Sequence, residues 1–341
     1  MRKFLLFFLL VTMFFAGDFR LPALDPFGLL PSTAMTLLSQ ESGIFYNPAL
    51  SLFNPPVLQY SQGSFSMDSG SVFSSLREIA TPENIDYSIL SEINTDAPSF
   101  AMETRNFFMS GKGGAMGYVY YRSLLVKGER GENFNENNPQ DFRINYKIRD
   151  RRIIFFNKSY VLKNKRAFMG ITTKYVFYKD FDFSLPINSQ ENFKEKETDL
   201  ISMGETPVEE GKMLSIDVGI SAFITSRVMA SVSFVDLPLS KGKEFSPEYI
   251  MGALSYSLTK GFIFSGGADL RDYKNDYYFS IVKNFSSFLI LGGGYRKWKN
   301  EKYYTLVADL RYHHFGGKIG INFDKNGRHG IIFSIGVSDA F

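Results

Sequence analysis

Cysteine is absent from the 341-residue chain. That removes disulfide frameworks, thiolate nucleophiles and Cys-ligated metals together. Histidine is scarce, with only His313, His314 and His329. The first two are adjacent at the end of a strand-like stretch, so they point to opposite faces and give no metal-ligand spacing. No serine stands beside them at strand spacing as a nucleophile, and the carboxylates form no isolated pair. Gly111-Lys112-Gly113-Gly114 reads as a hairpin turn, because no helix follows it to cradle a phosphate. The expectation is a protein that is not an enzyme and holds no metal or cofactor. An excess of one charge is lacking too: the formal net charge is +3. No basic stretch interleaves with aromatics, which argues against nucleic acid as a partner. Beyond the N-terminus there is no run of about 18 apolar residues, so no membrane-spanning helix is expected.

What the chain does have is 35 Phe, 19 Tyr and 29 Gly against a single Trp. Aromatics and glycine at this level favour strands with tight bends over helices. The N-terminus reads as a secretory signal over residues 1–17. Met1-Arg2-Lys3 is its positive start, Phe4 to Phe15 its apolar stretch, and Ala16-Gly17 its small-residue end. Residues 18–56 hold six prolines and no sustained period, with one short helix expected near Thr33 to Leu38. Within the connection after the first strand, Thr81-Pro82-Glu83 reads as a helix start, and Ile85, Ile89 and Ile93 recur at helical spacing.

From Val57 the period is two. In the last strand Ile331, Phe333, Ile335 and Val337 share one face, opposite Ser334, Gly336 and Ser338. Leu214 to Ala222 and Phe262 to Leu270 alternate in the same way. A soluble sandwich also alternates. Three features favour a membrane barrel instead: an even count of about 14 strands, strand lengths mostly of about 9–13 residues, and long connections that alternate with short turns. The long ones then all fall on one side. The chain also ends on Phe341 behind an alternating strand, which resembles the signal that outer-membrane barrels present to their assembly machinery. The fold class read from these features is an all-β, antiparallel transmembrane β-barrel over residues 57–341, in a Gram-negative-type outer membrane.

Parity in such a barrel assigns Glu103, Arg105, Lys174, Asp217, Asp269, Asp309, Arg311 and Lys318 to the lumen. Their mixed signs point to ion pairs across strands, with a selective polar ring as the alternative. Tyr277, Tyr304, Tyr312 and Trp298 suit interface girdles.

One stretch, Ser39 to Leu52, is read in the light of that barrel. Pro48 fixes its own φ and bars Asn47 from the α region, which makes Asn47-Pro48-Ala49 a stiff turn. Phe45-Tyr46-Asn47-Pro48-Ala49, lying shortly before the first strand, resembles the N-terminal hatch of the FadL/TodX superfamily of outer-membrane proteins, which includes PorV-like relatives. The chain departs from that pattern in carrying Leu50 where Gly is usual and in lacking a preceding Gly-Met-Gly-Gly-Ala run. The resemblance implies 14 strands and a hatch over residues 18–56 that plugs the lumen. It also implies passive uptake of hydrophobic compounds such as long-chain fatty acids, with sideways exit through the wall. The helix near Ile85 to Ile93 and the Phe181 to Phe193 loop would then form an outer capture surface. The alternatives are a PorV-like barrel that docks an exported protein and a general diffusion pore. The expected partners are outer-membrane lipids and hydrophobic small molecules or an exported protein, with the barrel a monomer.

Overall fold

The period-two pattern becomes fourteen strands in a computed structural model. It describes residues 30–36, 43–54, 56–68, 71–72, 75, 87–95, 99–111, 113–135, 141–162, 166–186, 209–239, 249–259, 261–271, 274, 276–298, 301–324 and 329–338. The expected signal over residues 1–17 and the terminal Phe341 lie outside them. The strands are β1 (Val57–Asp68), β2 (Ser99–Gly111), β3 (Gly114–Arg130), β4 (Phe142–Val161), β5 (Ala167–Pro186), β6 (Glu209–Phe223) and β7 (Val228–Pro238). They continue as β8 (Tyr249–Thr259), β9 (Phe262–Asp269), β10 (Asp276–Ser286), β11 (Leu289–Trp298), β12 (Glu301–Tyr312), β13 (Phe315–Asp324) and β14 (His329–Ser338). Each pairs antiparallel with its sequence neighbours, and β1 pairs with β14 to close the barrel. Closure leaves no unpaired edge, which a sheet in lipid requires.

Burial separates the two faces. Ile331, Phe333 and Ile335 are exposed on the outside, whereas Ile332 and Ser334 are buried on the inside. Around β8–β14 the outer face is apolar over most of its height, with Leu254, Phe264, Phe279, Leu291, Leu306 and Ile319 all exposed. Tyr304 and Tyr312 are also outward and exposed, as interface residues would be.

The outer face of β1–β6 differs. The register carries the apolar row Tyr60, Phe107, Tyr118, Ile154, Tyr175 and Leu214 across six strands. One step toward the long connections lies Gln62, Arg105, Tyr120, Arg152, Phe177 and Lys212. The next step holds Ser64, Glu103, Arg122, Asp150, Lys179 and Glu210. Glu103 and Arg105 are therefore outside, not in the lumen as parity predicts from the sequence. Phe107, Phe108 and Met109 are consecutive apolar residues that leave the parity of β2 undecided. Phe108 turns inward and is fully buried, while Phe107 is half-exposed, so the two charges follow Phe107 outward. Higher still the outer face is apolar again and covered by the chain itself. Leu90 and Ile93 pack on Val126, Phe142 and Ile144, and Arg130 Nη2 donates to the carbonyls of Ser91 (2.7 Å) and Ile93 (2.9 Å). The helix expected around Ile85 to Ile93 is a 3-10 helix over Tyr87–Glu92, bound to the wall rather than standing free; Ile85 and Phe193 lie outside the described residues. Phe181 belongs to β5 and is buried.

Candidate functional site

Residues ahead of β1 lie against the inner face. A short helix, Pro31–Thr36, is followed by one helical turn, Gly43–Tyr46, and a 3-10 helix, Pro48–Phe53. Asn47 between the last two is extended, at φ −153° and ψ 94°, the conformation that a following proline imposes. Its Oδ1 accepts from the Ala49 N–H at 3.2 Å and caps the 3-10 helix. Its Nδ2 donates to the Met35 carbonyl at 3.0 Å and to Ser221 Oγ at 2.6 Å. One amide thus joins the turn, the preceding helix and the barrel wall.

The wall is shaped to receive this turn. Asn157 Nδ2 (3.3 Å) and Ser159 Oγ (2.8 Å) both donate to the Pro48 carbonyl. Ser51 Oγ bonds Asn157 Oδ1 and Ser159 Oγ, and Thr172 Oγ1 donates to the Ile44 carbonyl at 3.2 Å. Two glycines allow the approach. A Cβ at Gly170 would run into the Pro48 backbone, and one at Gly219 would strike Asn47 Oδ1 and the Pro48 ring. Asn47, Ala49, Leu50 and Ser51 are fully buried. Leu50, in place of the glycine usual in the resembled motif, is accommodated inside the barrel.

Apolar contacts complete the seat. Ile44 and Phe45 pack on Phe108, Val119, Phe155 and Val176 from β2–β5, and Phe45 meets Phe155 edge-on at 4.9 Å. Met35 and Tyr46 pack on Val235, Met251 and Tyr278 from β7, β8 and β10. Leu30 reaches Val282 and Val307 and lies over Gly292 and Gly294, where a Cβ would crowd it.

Above Phe45 sits a buried ion cage. Lys174 Nζ lies 2.8 Å from Asp217, 2.9 Å from Asp236 and 4.5 Å from the Phe45 ring centroid. Lys174 and Asp217 are essentially without solvent exposure. The cage coincides with a break in the β6–β7 ladder, whose register shifts between Ile216 and Val218. Asp236 takes φ +55° there, a left-handed conformation that Asp tolerates better than most residues. Its N–H donates to Asp217 Oδ1 at 2.8 Å, so a side chain replaces the interrupted ladder. The other described register shifts, at Ser257/Thr259 and Asn284/Ser286, adjoin short turns.

Of the remaining sequence-assigned charges, Asp269, Asp309 and Lys318 are buried on the inner face and Arg311 shares it. Arg311 bonds Asp309 at 2.8 Å, and the Arg271 N–H donates to Asp269 at 3.0 Å. The inner charges are locally paired by sign. Asp236, Asn157, Ser159, Thr172, Ser221, Gly170 and Gly219 escaped the sequence reading. The two glycines were visible as inward small residues in β5 and β6, but only the turn seated on them gives them meaning.

No family model matches the chain, and no curated protein matches it. Among solved structures, a Pseudomonas aeruginosa FadL homologue superposes with a TM-score of 0.52 at 11% identity, over 94% of this chain and 99% of its own. The fold is FadL-like. Two other solved barrels align with this FadL-like chain at a TM-score of 0.49. They are the Pseudomonas putida toluene transporter TodX (9% identity, 96% of this chain and 100% of its own) and the Ralstonia pickettii toluene transporter TbuX (8% identity, 92% and 99%).

Proposed function

We propose that this protein is an outer-membrane barrel for passive uptake of small hydrophobic compounds, with residues 30–54 as its hatch. The observation that carries the reading is the Asn47-Pro48 turn, seated over Gly170 and Gly219 inside a closed barrel. A chain segment that fills the inner face by glycine-permitted contact is a plug, and a plugged barrel does not serve as an open pore for polar solutes. The apolar outer face supports the membrane setting. We take the break in the β6–β7 ladder next to the ion cage, one side chain from the hatch through Lys174 and Phe45, as the candidate point for sideways exit. Long-chain fatty acids and monoaromatic hydrocarbons are the two substrate classes to compare.

The test is flux into vesicles containing the purified barrel, with tritiated toluene, oleate and glucose in parallel. Saturable entry of toluene or oleate without glucose is the expected result. Glucose entry with steady conductance would establish a diffusion pore instead. Entry of none of them, together with an exported protein recovered on the barrel, would favour the PorV-like docking alternative. Gly219→Val, which forces a side chain into Asn47 and Pro48, should unseat the turn and add a glucose leak.

A further inference from the structure

The two charged rows on the outside of β1–β6 have no part in the uptake reading. They face the direction that on β8–β14 carries mainly apolar side chains, and an arginine exposed to acyl chains at mid-membrane is unfavourable. Their position is bounded. Below them runs the apolar row containing Phe107, Tyr118 and Tyr175, each 39–50% exposed. Above them the chain covers its own wall through Leu90 and Ile93. The rows therefore lie where acyl chains give way to headgroups on the long-connection side.

Their charge is unbalanced. Arg105, Arg122, Arg152, Lys179 and Lys212 face three carboxylates, Glu103, Asp150 and Glu210. Arg122 and Arg152 share one acid, Asp150, at 3.5 and 4.0 Å, and Tyr120 Oη donates to the same carboxylate at 3.2 Å. Both arginine side chains stay more than half-exposed, as does that of Arg105 despite its 2.6 Å bond to Glu103. Exposed guanidiniums beside one shared carboxylate retain donors for a further anion, and their planar forks suit phosphate oxygens.

We infer that this belt binds a membrane lipid with a phosphorylated headgroup, the phosphate on Arg105, Arg122 and Arg152 and the acyl chains along Phe107, Tyr118 and Tyr175. The inference rests on the reading of the outer face as lipid-facing and is independent of what crosses the barrel.

The test is native mass spectrometry of the full-length barrel in detergent, with bisphosphorylated lipid A, enzymatically dephosphorylated lipid A and inorganic phosphate as separate probes. Lipid A should stay bound, its dephosphorylated form should bind about tenfold more weakly, and free phosphate should not displace it. The triple variant R105Q/R122Q/R152Q should lose about tenfold in lipid A affinity, and Lys302→Gln on the opposite wall should lose none. A heat-modifiable band shift establishes that each variant is folded; if the triple variant is not, Arg152→Gln alone carries the test with a smaller loss in the same direction. Equal binding of both lipid A forms, displacement by inorganic phosphate, unchanged affinity in the folded arginine variants, or capture of a protein in place of lipid would each overturn the inference. Lipid A binding without toluene or oleate uptake would sink the uptake reading alone, and uptake without lipid A binding would sink this one.

Discussion

The two walls that hold the N-terminal segment work by different chemistry. On β4–β6 Asn157, Ser159, Thr172 and Ser221 hydrogen-bond the segment and Lys174, held by Asp217, sits over the Phe45 ring, in addition to the packing of Ile44 and Phe45 on Phe155 and Val176. On β7–β12 it is met by Val235, Met251, Tyr278, Val282 and Val307, and the contacts are apolar. The outer faces divide similarly, with charged rows on β1–β6 and exposed apolar side chains around β8–β14. The polar wall fixes orientation, because Asn47 and the Pro48 carbonyl can be satisfied in one seating only. The apolar wall supplies burial that tolerates small shifts. The directional contacts thus set where the segment sits, and the apolar ones add to how firmly it is held.

The largest expected effect breaks the polar wall. Lys174→Met leaves Asp217 and Asp236 facing each other, buried and unpaired, and should destabilise the barrel by about 3–5 kcal/mol. Urea unfolding in vesicles measures this. The double variant K174M/D217N should recover part of the loss, and a double variant no better than K174M would show that the ion pair is not the cause. On the apolar wall, Leu30→Ala empties the space over Gly292 and Gly294 and should cost about 2–4 kcal/mol. If Leu30→Ala is harmless, the apolar wall does not hold the segment and the contrast between the walls fails.

Asn47→Ala comes next. It removes the bond to Ala49 N–H and leaves the Met35 carbonyl without that donor, for about 1–2 kcal/mol. Conductance should rise before stability falls appreciably, because the turn is what the polar wall recognises. A folded variant with unchanged conductance would assign the seating to the glycines and the Pro48 carbonyl instead.

The division between walls was only partly legible in the sequence. Fourteen strands and their closure follow from alternation and from the order of long and short connections, both local properties of the chain. The extended Asn47 follows from Pro48 alone. The ion cage does not follow, because Asp236 sits in a bulge where the period of two slips, and its partner Lys174 is 62 residues away. Glu103 and Arg105 show the opposite difficulty. Treating charge as a marker of the inner face fails where a strand rises past the apolar band, since beyond it the outer face meets headgroups and water. Phe107 and Phe108, identical side chains on opposite faces, hold no information about which way β2 is turned.

The smallest expected effect sharpens the comparison most. Tyr278 brings a hydroxyl into the apolar wall; it is fully buried, and its hydroxyl donates to Met35 Sδ at 3.7 Å. A thioether is a weak acceptor, so this bond contributes little, and the ring's packing on Met35 and Tyr46 does the holding. Tyr278→Phe keeps the ring and removes only the hydroxyl. It should change stability by about 0.5 kcal/mol or less, with conductance unchanged. Urea unfolding of this variant beside Asn47→Ala reads the two walls on one scale. A loss for Tyr278→Phe as large as that for Asn47→Ala would mean that directional bonds hold the segment on both walls, and the contrast between them would fail.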